Sequence, residues 1–341
     1  MSFVELPNPP QTAPVSAVKF SEPADETLLV ASYDNSVSLY NCTRRSIAAT
    51  LTSPSPVISV AQSSYRTTFA GLLDGTVRHV DYENMTLSSA LVSVAPDDVN
   101  AGFSQGINCL RPLDRSSFVA STYGGTLLQF DPRSSRAPDQ HASHGKIFAL
   151  DTCNDLITVA KSSSTVEIYD ARKMHAPMQT RSTGLRFQVT ALRSFPSGEG
   201  YVVSSVDGRV SVEYYAESAE TQAQKFAFKC HRVRDKDAGE DIVYPVTGLL
   251  FHPKHSTLFT AGGDGNVCVW NWAKRKRMKL FSHAIEPRPI SHMDLSDDGN
   301  CLAIAVGDDS YARASGLSGG SAGGGKLLIR QLSEADSKPK S

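Results

Sequence analysis

One motif recurs along this chain and limits what it can fold into. An apolar run ends in a small residue, a tight polar turn follows, and a short alternating strand closes on an aromatic or apolar residue. Leu28-Leu29-Val30-Ala31-Ser32 runs into Tyr33-Asp34-Asn35 and then Ser36-Val37-Ser38-Leu39-Tyr40. Val202-Val203-Ser204-Ser205-Val206 is followed by Asp207-Gly208 and Arg209-Val210-Ser211-Val212-Glu213-Tyr214. Leu258-Phe259-Thr260-Ala261-Gly262-Gly263 leads through Asp264-Gly265 into Asn266-Val267-Cys268-Val269-Trp270. Each copy reads as two β-strands joined by a hairpin, because Asp-Gly and Asp-Asn supply the positive φ that such turns need.

A further strand precedes each hairpin. The candidates begin at Val18, Val57, Ile107, Ile147, Val189, Val246 and Ile290. Their spacing is about 40 residues, which is the period and content of a WD-repeat β-propeller. The 341 residues have room for roughly seven blades at about 40–45 residues each, so the chain is expected to be all-β, one propeller domain over 1–341. The longer gaps before Ile107 and Val246 map to loops on the rims. In the last copy, Cys301–Val306 and Lys326–Arg330 are separated by a Gly/Ser-rich stretch, about 307–325, read as a flexible loop because it has too little apolar surface to order itself. Only three strands follow Ile290. Phe3-Val4-Glu5-Leu6 is expected to supply the fourth and close the ring, which removes an exposed sheet edge.

The net charge of −1 and a pI near 6.8 give no global field to draw nucleic acid or an anionic membrane, so any basic site is local. The N-terminus lacks the basic and apolar segments of a secretory signal, and no apolar run approaches the roughly 18 residues of a membrane span. The six cysteines are scattered without a Cys-x-x-Cys pair and read as reduced core residues. Gly316-Leu-Ser-Gly-Gly320 has the spacing of a nucleophile elbow but lacks its strand-to-helix setting. The glycines before Lys326 lack the Ser or Thr of a P-loop. His141/His144 and His252/His255 have no further ligands at metal-site spacing and read as surface or hairpin-capping residues. Lys274-Arg-Lys-Arg-Met-Lys279 reads as a solvated blade-to-blade turn. No catalytic constellation, metal site or cofactor site emerges, and the chain is expected not to be an enzyme.

Two features remain. Turns between second and third strands share a rim with the blade-to-blade connections, so Tyr33, Tyr123 and Arg209 face one surface. Tyr and Arg dominate binding hot spots, and the three residues together form a candidate peptide platform. The cluster Lys229, His231, Arg232, Arg234 and Lys236 opens a long connection on that same rim, and suits a phosphate or an acidic peptide. Arg232 stands nearest the strand end.

The blocks Tyr201–Tyr214, Phe226-Ala-Phe-Lys-Cys-His-Arg232, Tyr244-Pro-Val246, Phe251-His-Pro253 and Thr260–Gly265 resemble the mitotic checkpoint propeller family named for budding uninhibited by benzimidazoles. A relative of that family is the messenger-RNA-export propeller of nuclear pores. Weaker similarity covers most of the remaining chain, including Asp131-Pro-Arg133 and the tail Ser337-Lys-Pro-Lys340. The resemblance implies a nuclear adaptor, at kinetochores in mitosis, while ring closure, which leaves no long sheet edge to pair, implies a monomer when alone. It implies binding of a GLEBS-motif segment in the checkpoint kinase and its pseudokinase relative, and reading of phosphothreonine in Met-Glu-Leu-Thr-type repeats of a kinetochore scaffold. The alternative is the export branch, with a GLEBS-type segment of a nucleoporin as partner. By the same resemblance the peptide platform falls on Tyr33, Tyr123 and Arg209, where the family commonly has tryptophan at the two aromatic positions. The phosphate site falls on Arg232, with Lys254 as the nearest candidate for a second cation. No direct nucleic-acid or membrane partner is implied.

Overall fold

The computed structural model describes residues 2–7, 14–21, 27–63, 67–94, 105–282, 288–307 and 325–339. Seven antiparallel sheets form the blades of a propeller, consecutive in the chain. In blade 1 the strands are Val15–Phe20, Thr27–Ser32, Ser36–Asn41 and Ser46–Thr52, from the axis outward. Blades 2 to 6 repeat that order from Val57, Ile107, Ile147, Val189 and Val246. Blade 2 splits its outer edge between Thr86–Leu87 and Val92–Ser93.

Blade 7 closes the ring as expected. Its outermost strand is Val4–Glu5, with Val4 opposite Ile329 and Glu5 opposite Leu328. The Leu6 amide donates to the Leu327 carbonyl at 2.8 Å, and the Leu6 side chain is buried. Lys326 pairs with Glu5 at 2.9 Å. Most of the expected glycine-rich loop, residues 308–324, lies outside the described residues.

The second and third strands carry the core. Thr68–Leu72, Phe118–Thr122 and Cys301–Val306 are buried at every position, because each is covered on both faces by neighbouring blades. Outer strands are polar and partly exposed; Lys276–Ser282 buries only Phe281. That strand corrects the reading of Lys274–Lys279 as a blade-to-blade turn. The run spans a turn inside blade 6 and the start of its outer strand, and Arg275 lies over the Phe226 ring at 4.1 Å.

The apolar side chains divide into seven clusters, one at each blade–blade interface. All seven inner strands also shift register just after their first residue, for example between Val15 and Ala17 and between Ile290 and His292. A bulge re-aims a side chain, and here polar side chains near the bulges reach the next blade. Ser59 Oγ donates to the Ile107 carbonyl at 2.6 Å, Asn108 Nδ2 to Ile147 at 2.8 Å, and Thr247 Oγ1 to Ile290 at 2.6 Å. Ser16 donates to the Val57 carbonyl, and Ser291 donates to Val15 across the closure at 3.4 Å. These bonds stitch the blades at the upper end of the axis.

The topology defines two rims. The upper rim holds the turns between second and third strands and the blade-to-blade connections. The lower rim holds the turns after first and third strands.

Candidate functional site on the upper rim

Tyr33 and Tyr123 occupy equivalent turns in blades 1 and 3. Each hangs from its neighbouring connection by a backbone bond, Tyr33 N–H to the Pro14 carbonyl and Tyr123 N–H to Gly106, both 3.2 Å. Asn35 (φ 66°) and Gly125 (φ 103°) adopt the left-handed conformation that turns the chain back. The rings remain 44% and 36% exposed. Burial of the phenol pushes Tyr123 up to about 12, with Tyr33 the next cause, and burial likewise raises Tyr33.

Blade 5 brings the cations together. Arg209 Nε meets the Asp207 carboxylate at 2.8 Å inside the turn. Lys229 lies opposite Arg209 on the adjacent outer strand. Arg232 reaches back under the same turn, donating from Nη2 to the Gly208 carbonyl at 3.1 Å and the Asp207 carbonyl at 3.3 Å. Its Nη1 stands 3.6 Å from Asp241, and its side chain is only 20% exposed. The buried Nε has no hydrogen-bond partner. Gly208 (φ +68°) admits this packing, since a Cβ there would stand 2.6 Å from the Cys230 carbonyl oxygen.

The long connection after Arg232 folds into a two-stranded hairpin, Arg232–Arg234 paired with Asp241–Val243. It lifts Val233, Ile242 and Val243 into solvent. Val206, in the blade 5 turn, and Phe187, in the connection before blade 5, are also exposed, and the Val206 amide donates to the Gln188 carbonyl at 3.0 Å. Among the described residues eleven large hydrophobic side chains are exposed. Seven of them are on this rim: Tyr33, Tyr123, Phe187, Val206, Val233, Ile242 and Val243. Val233, Ile242 and Val243 were not expected from the sequence, because the segment after Arg232 is dominated by charge.

Lys254 does not join this group. It sits in the turn after the first strand of blade 6, on the lower rim, its amide bonded to His252 Nδ1 at 3.2 Å. The six residues Val246–Phe251 intervene, about 20 Å of strand at about 3.3 Å each. The pairing of Lys254 with Arg232 at one phosphate therefore fails on topology, and Lys229 is the neighbouring lysine instead. His252 caps its turn, as expected: Nδ1 also accepts from His255 N, while Nε2 reaches the Gly299 carbonyl at 3.1 Å.

Behind Arg232, His231 turns inward (φ 44°) and is buried. Its Nδ1 meets Asp264 at 2.8 Å and its Nε2 meets Thr260 Oγ1 at 2.8 Å. Trp270 Nε1 donates to the same Thr260 hydroxyl at 3.1 Å. Burial opposes the Asp264 charge, yet the bond from His231 holds the carboxyl below its usual range. This chain of four fixes the hairpin's root to blade 6. Blade 6 is also where a known repeat is matched: residues 242–271 fit the WD domain, G-beta repeat.

Whole-chain comparison decides the family. The mitotic checkpoint protein BUB3.1 of Arabidopsis thaliana is 31% identical over 98% of this chain and 94% of its own length. The chain belongs to the Bub3 family of mitotic checkpoint proteins. Other Bub3 relatives agree. The mitotic checkpoint protein bub3 of Dictyostelium discoideum is 32% identical over 89% of this chain and 88% of its own. The spindle assembly checkpoint protein bub3 of Schizosaccharomyces pombe is 31% identical over 86% of this chain and 88% of its own. Membership in Bub3 together with the WD-repeat propeller points to a scaffold or adaptor family rather than a catalytic one.

Proposed function

We propose that this Bub3-family chain is a non-enzymatic adaptor of the spindle assembly checkpoint that holds a GLEBS-motif segment of a checkpoint kinase, or of its pseudokinase relative, across the upper rim. The observation that carries this reading is the concentration of exposed apolar side chains there, next to Arg209 and Lys229. An extended peptide with apolar anchors and acidic residues matches such a surface. Apolar anchors in pockets supply most interface energy, and the cations select for acidic flanks.

Arg232 is the reader of phosphothreonine in this proposal. A phosphate brings about −1.5 to −2 charges and three strong acceptors. Two carbonyls hold one end of the guanidinium in place, which leaves Nε unpaired and Nη1 in only a long contact with Asp241. A phosphate oxygen that meets Nη1 displaces Asp241 from its long contact. Lys229 adds a point charge. The expected setting is the nucleus, and the kinetochore in mitosis.

The test is titration of a GLEBS peptide and of phosphorylated and unmodified Met-Glu-Leu-Thr peptides. Wild type should prefer the phosphopeptide, and Arg232→Ala should lose most of that preference, about 1.5–3 kcal/mol for a charge-assisted contact. The GLEBS affinity of Arg232→Ala, measured in parallel, shows whether the Asp207-Gly208 turn has survived. A wild type blind to phosphorylation would overturn the reader role. A preference undiminished in Arg232→Ala would move it to another residue. A pull-down from mitotic cells that returned pore and export factors instead of checkpoint kinase would point to the export branch.

A further inference from the structure

The lower end of the central channel is a separate chemical environment. First strands of all seven blades enclose a cavity of about 450 Å³ there, within the usual range for small-molecule sites. Arg111 from blade 3 and Arg193 from blade 5 both reach it, and both lean on one carboxylate oxygen, Asp151 Oδ1 of blade 4, at 3.3 and 3.6 Å. The other Asp151 oxygen is taken by the Ser194 amide at 2.8 Å. Charge-assisted pairs normally close to about 2.7–2.9 Å, so neither guanidinium is fully matched. Each has five N–H donors, and among the described residues its other hydrogen bond goes to its neighbouring carbonyl, Leu110 or Leu192.

His292 of blade 7 completes the lining of this sector. Burial, then Arg111 and Arg193, lower its imidazole to about 4, so the ring is neutral at physiological pH and adds no charge of its own. Burial and then Arg111 likewise pull Arg193 below its ordinary value. Elsewhere in the cavity, Lys19 pairs with Asp294 at 3.4 Å, and Asp297 lies at the mouth. The formal charges of the cavity cancel, and Asp294 also acts on Arg193 from beyond contact distance. Two cations share one anion on the Arg111–Arg193 side.

We propose that this channel mouth is a binding site for a small free phosphate-bearing anion, held by Arg111 and Arg193 with His292 as a third contact. Enclosure by seven strands favours a small molecule over a polypeptide. The site lies on the rim opposite the peptide platform, so the two are independent.

Inorganic phosphate is the probe, with chloride of equal ionic strength as control, and the full chain carries isotope-labelled histidine. The His292 resonance is assigned by its loss in His292→Gln. Bound phosphate gives the imidazolium a counter-anion, so the His292 titration should move upward by about one unit, while chloride leaves the ring neutral down to about pH 5. Arg193→Gln and Arg111→Gln should each abolish the phosphate-specific part of the shift, and Arg232→Ala should leave it intact. Arg111→Lys, which keeps the charge but not the fork, should weaken phosphate at least several-fold if the other two variants prove unstable. Phosphate acting no differently from chloride on wild type would overturn the proposal. So would a shift that persists undiminished in the arginine variants.

Discussion

The two rims of this propeller are built from the same kind of turn, and turn carboxylates are held locally on both, as Asp74 is by Thr76 on the upper rim, but the rims differ in how many large apolar groups they leave exposed. On the lower rim, carboxylates are consumed locally. Asp114 accepts from the amides and hydroxyls of Ser116 and Ser117, all between 2.6 and 3.1 Å. Asp131 and Asp170 each fold back a following arginine, Arg133 and Arg172, in matching bidentate pairs. Asp298 is held by Ser296 and Asn300. On the upper rim the Asp207-Arg209 pair is similar, but Arg232 keeps an unpaired donor and apolar groups stand in water. The difference separates turns that only stop a strand from turns that leave something for a partner to complete.

The largest expected effect tests what holds the open rim in place. In Asp264→Ala, the buried His231 loses the Asp264 partner of its Nδ1 and is held only through Thr260, which Trp270 also bonds. Removing one member of a buried ionic hydrogen-bond network typically costs about 3–5 kcal/mol. Chemical denaturation should show that loss, together with weakened peptide binding, because the hairpin root loosens. Normal peptide affinity in a destabilised Asp264→Ala would show that the hairpin holds its shape without blade 6.

A smaller effect separates contact from support. Ile242→Asp changes an exposed side chain with no core role, so stability should stay within about 0.5 kcal/mol of wild type. GLEBS-peptide affinity should fall by about 1–2 kcal/mol, both through lost apolar contact and through a like charge facing acidic flanks. The matching substitution on the lower rim, Met178→Asp, should leave affinity unchanged. Equal losses from the two would erase the distinction between the rims.

Much of this architecture is legible in the chain, and the exceptions have physical causes. Second strands announce themselves because burial on both faces demands continuous apolar runs, as in Cys301–Val306, and third strands by the alternation that follows each hairpin turn. Outer strands do not, because an exposed edge such as Lys276–Ser282 is free to be charged. The rim assignment of Tyr33, Tyr123, Arg209 and Arg232 follows from counting strands. The resemblance puts Lys254 forward as the second cation beside Arg232, but one intervening strand carries it to the other end of the blade. The hairpin with Val233 and Ile242 is hidden because its apolar residues are few and set among charges. Arg111, Arg193 and His292 come from three different blades, and no local pattern marks residues that meet only when a ring closes.

The smallest expected effect examines the closed rim on its own terms. Asp114 is held down to about 2, chiefly by the Ser116 amide and the Ser117 hydroxyl. A carboxyl whose folded value is depressed stabilises the fold above its unfolded value, near 4, and that contribution is lost as pH falls through about 2. Because Asp114 is largely exposed, solvent screening reduces the gain, and Asp114→Ala should cost only about 0.5–1 kcal/mol at neutral pH. Denaturation curves for wild type and Asp114→Ala should therefore differ modestly at pH 7 and converge as the solution is acidified towards about pH 2, with peptide and phosphopeptide affinities equal throughout the neutral range. A gap that stays constant with pH would mean that the turn geometry, and not the ionised carboxylate, carries the effect. A change in partner affinity would mean that the lower rim is not closed after all.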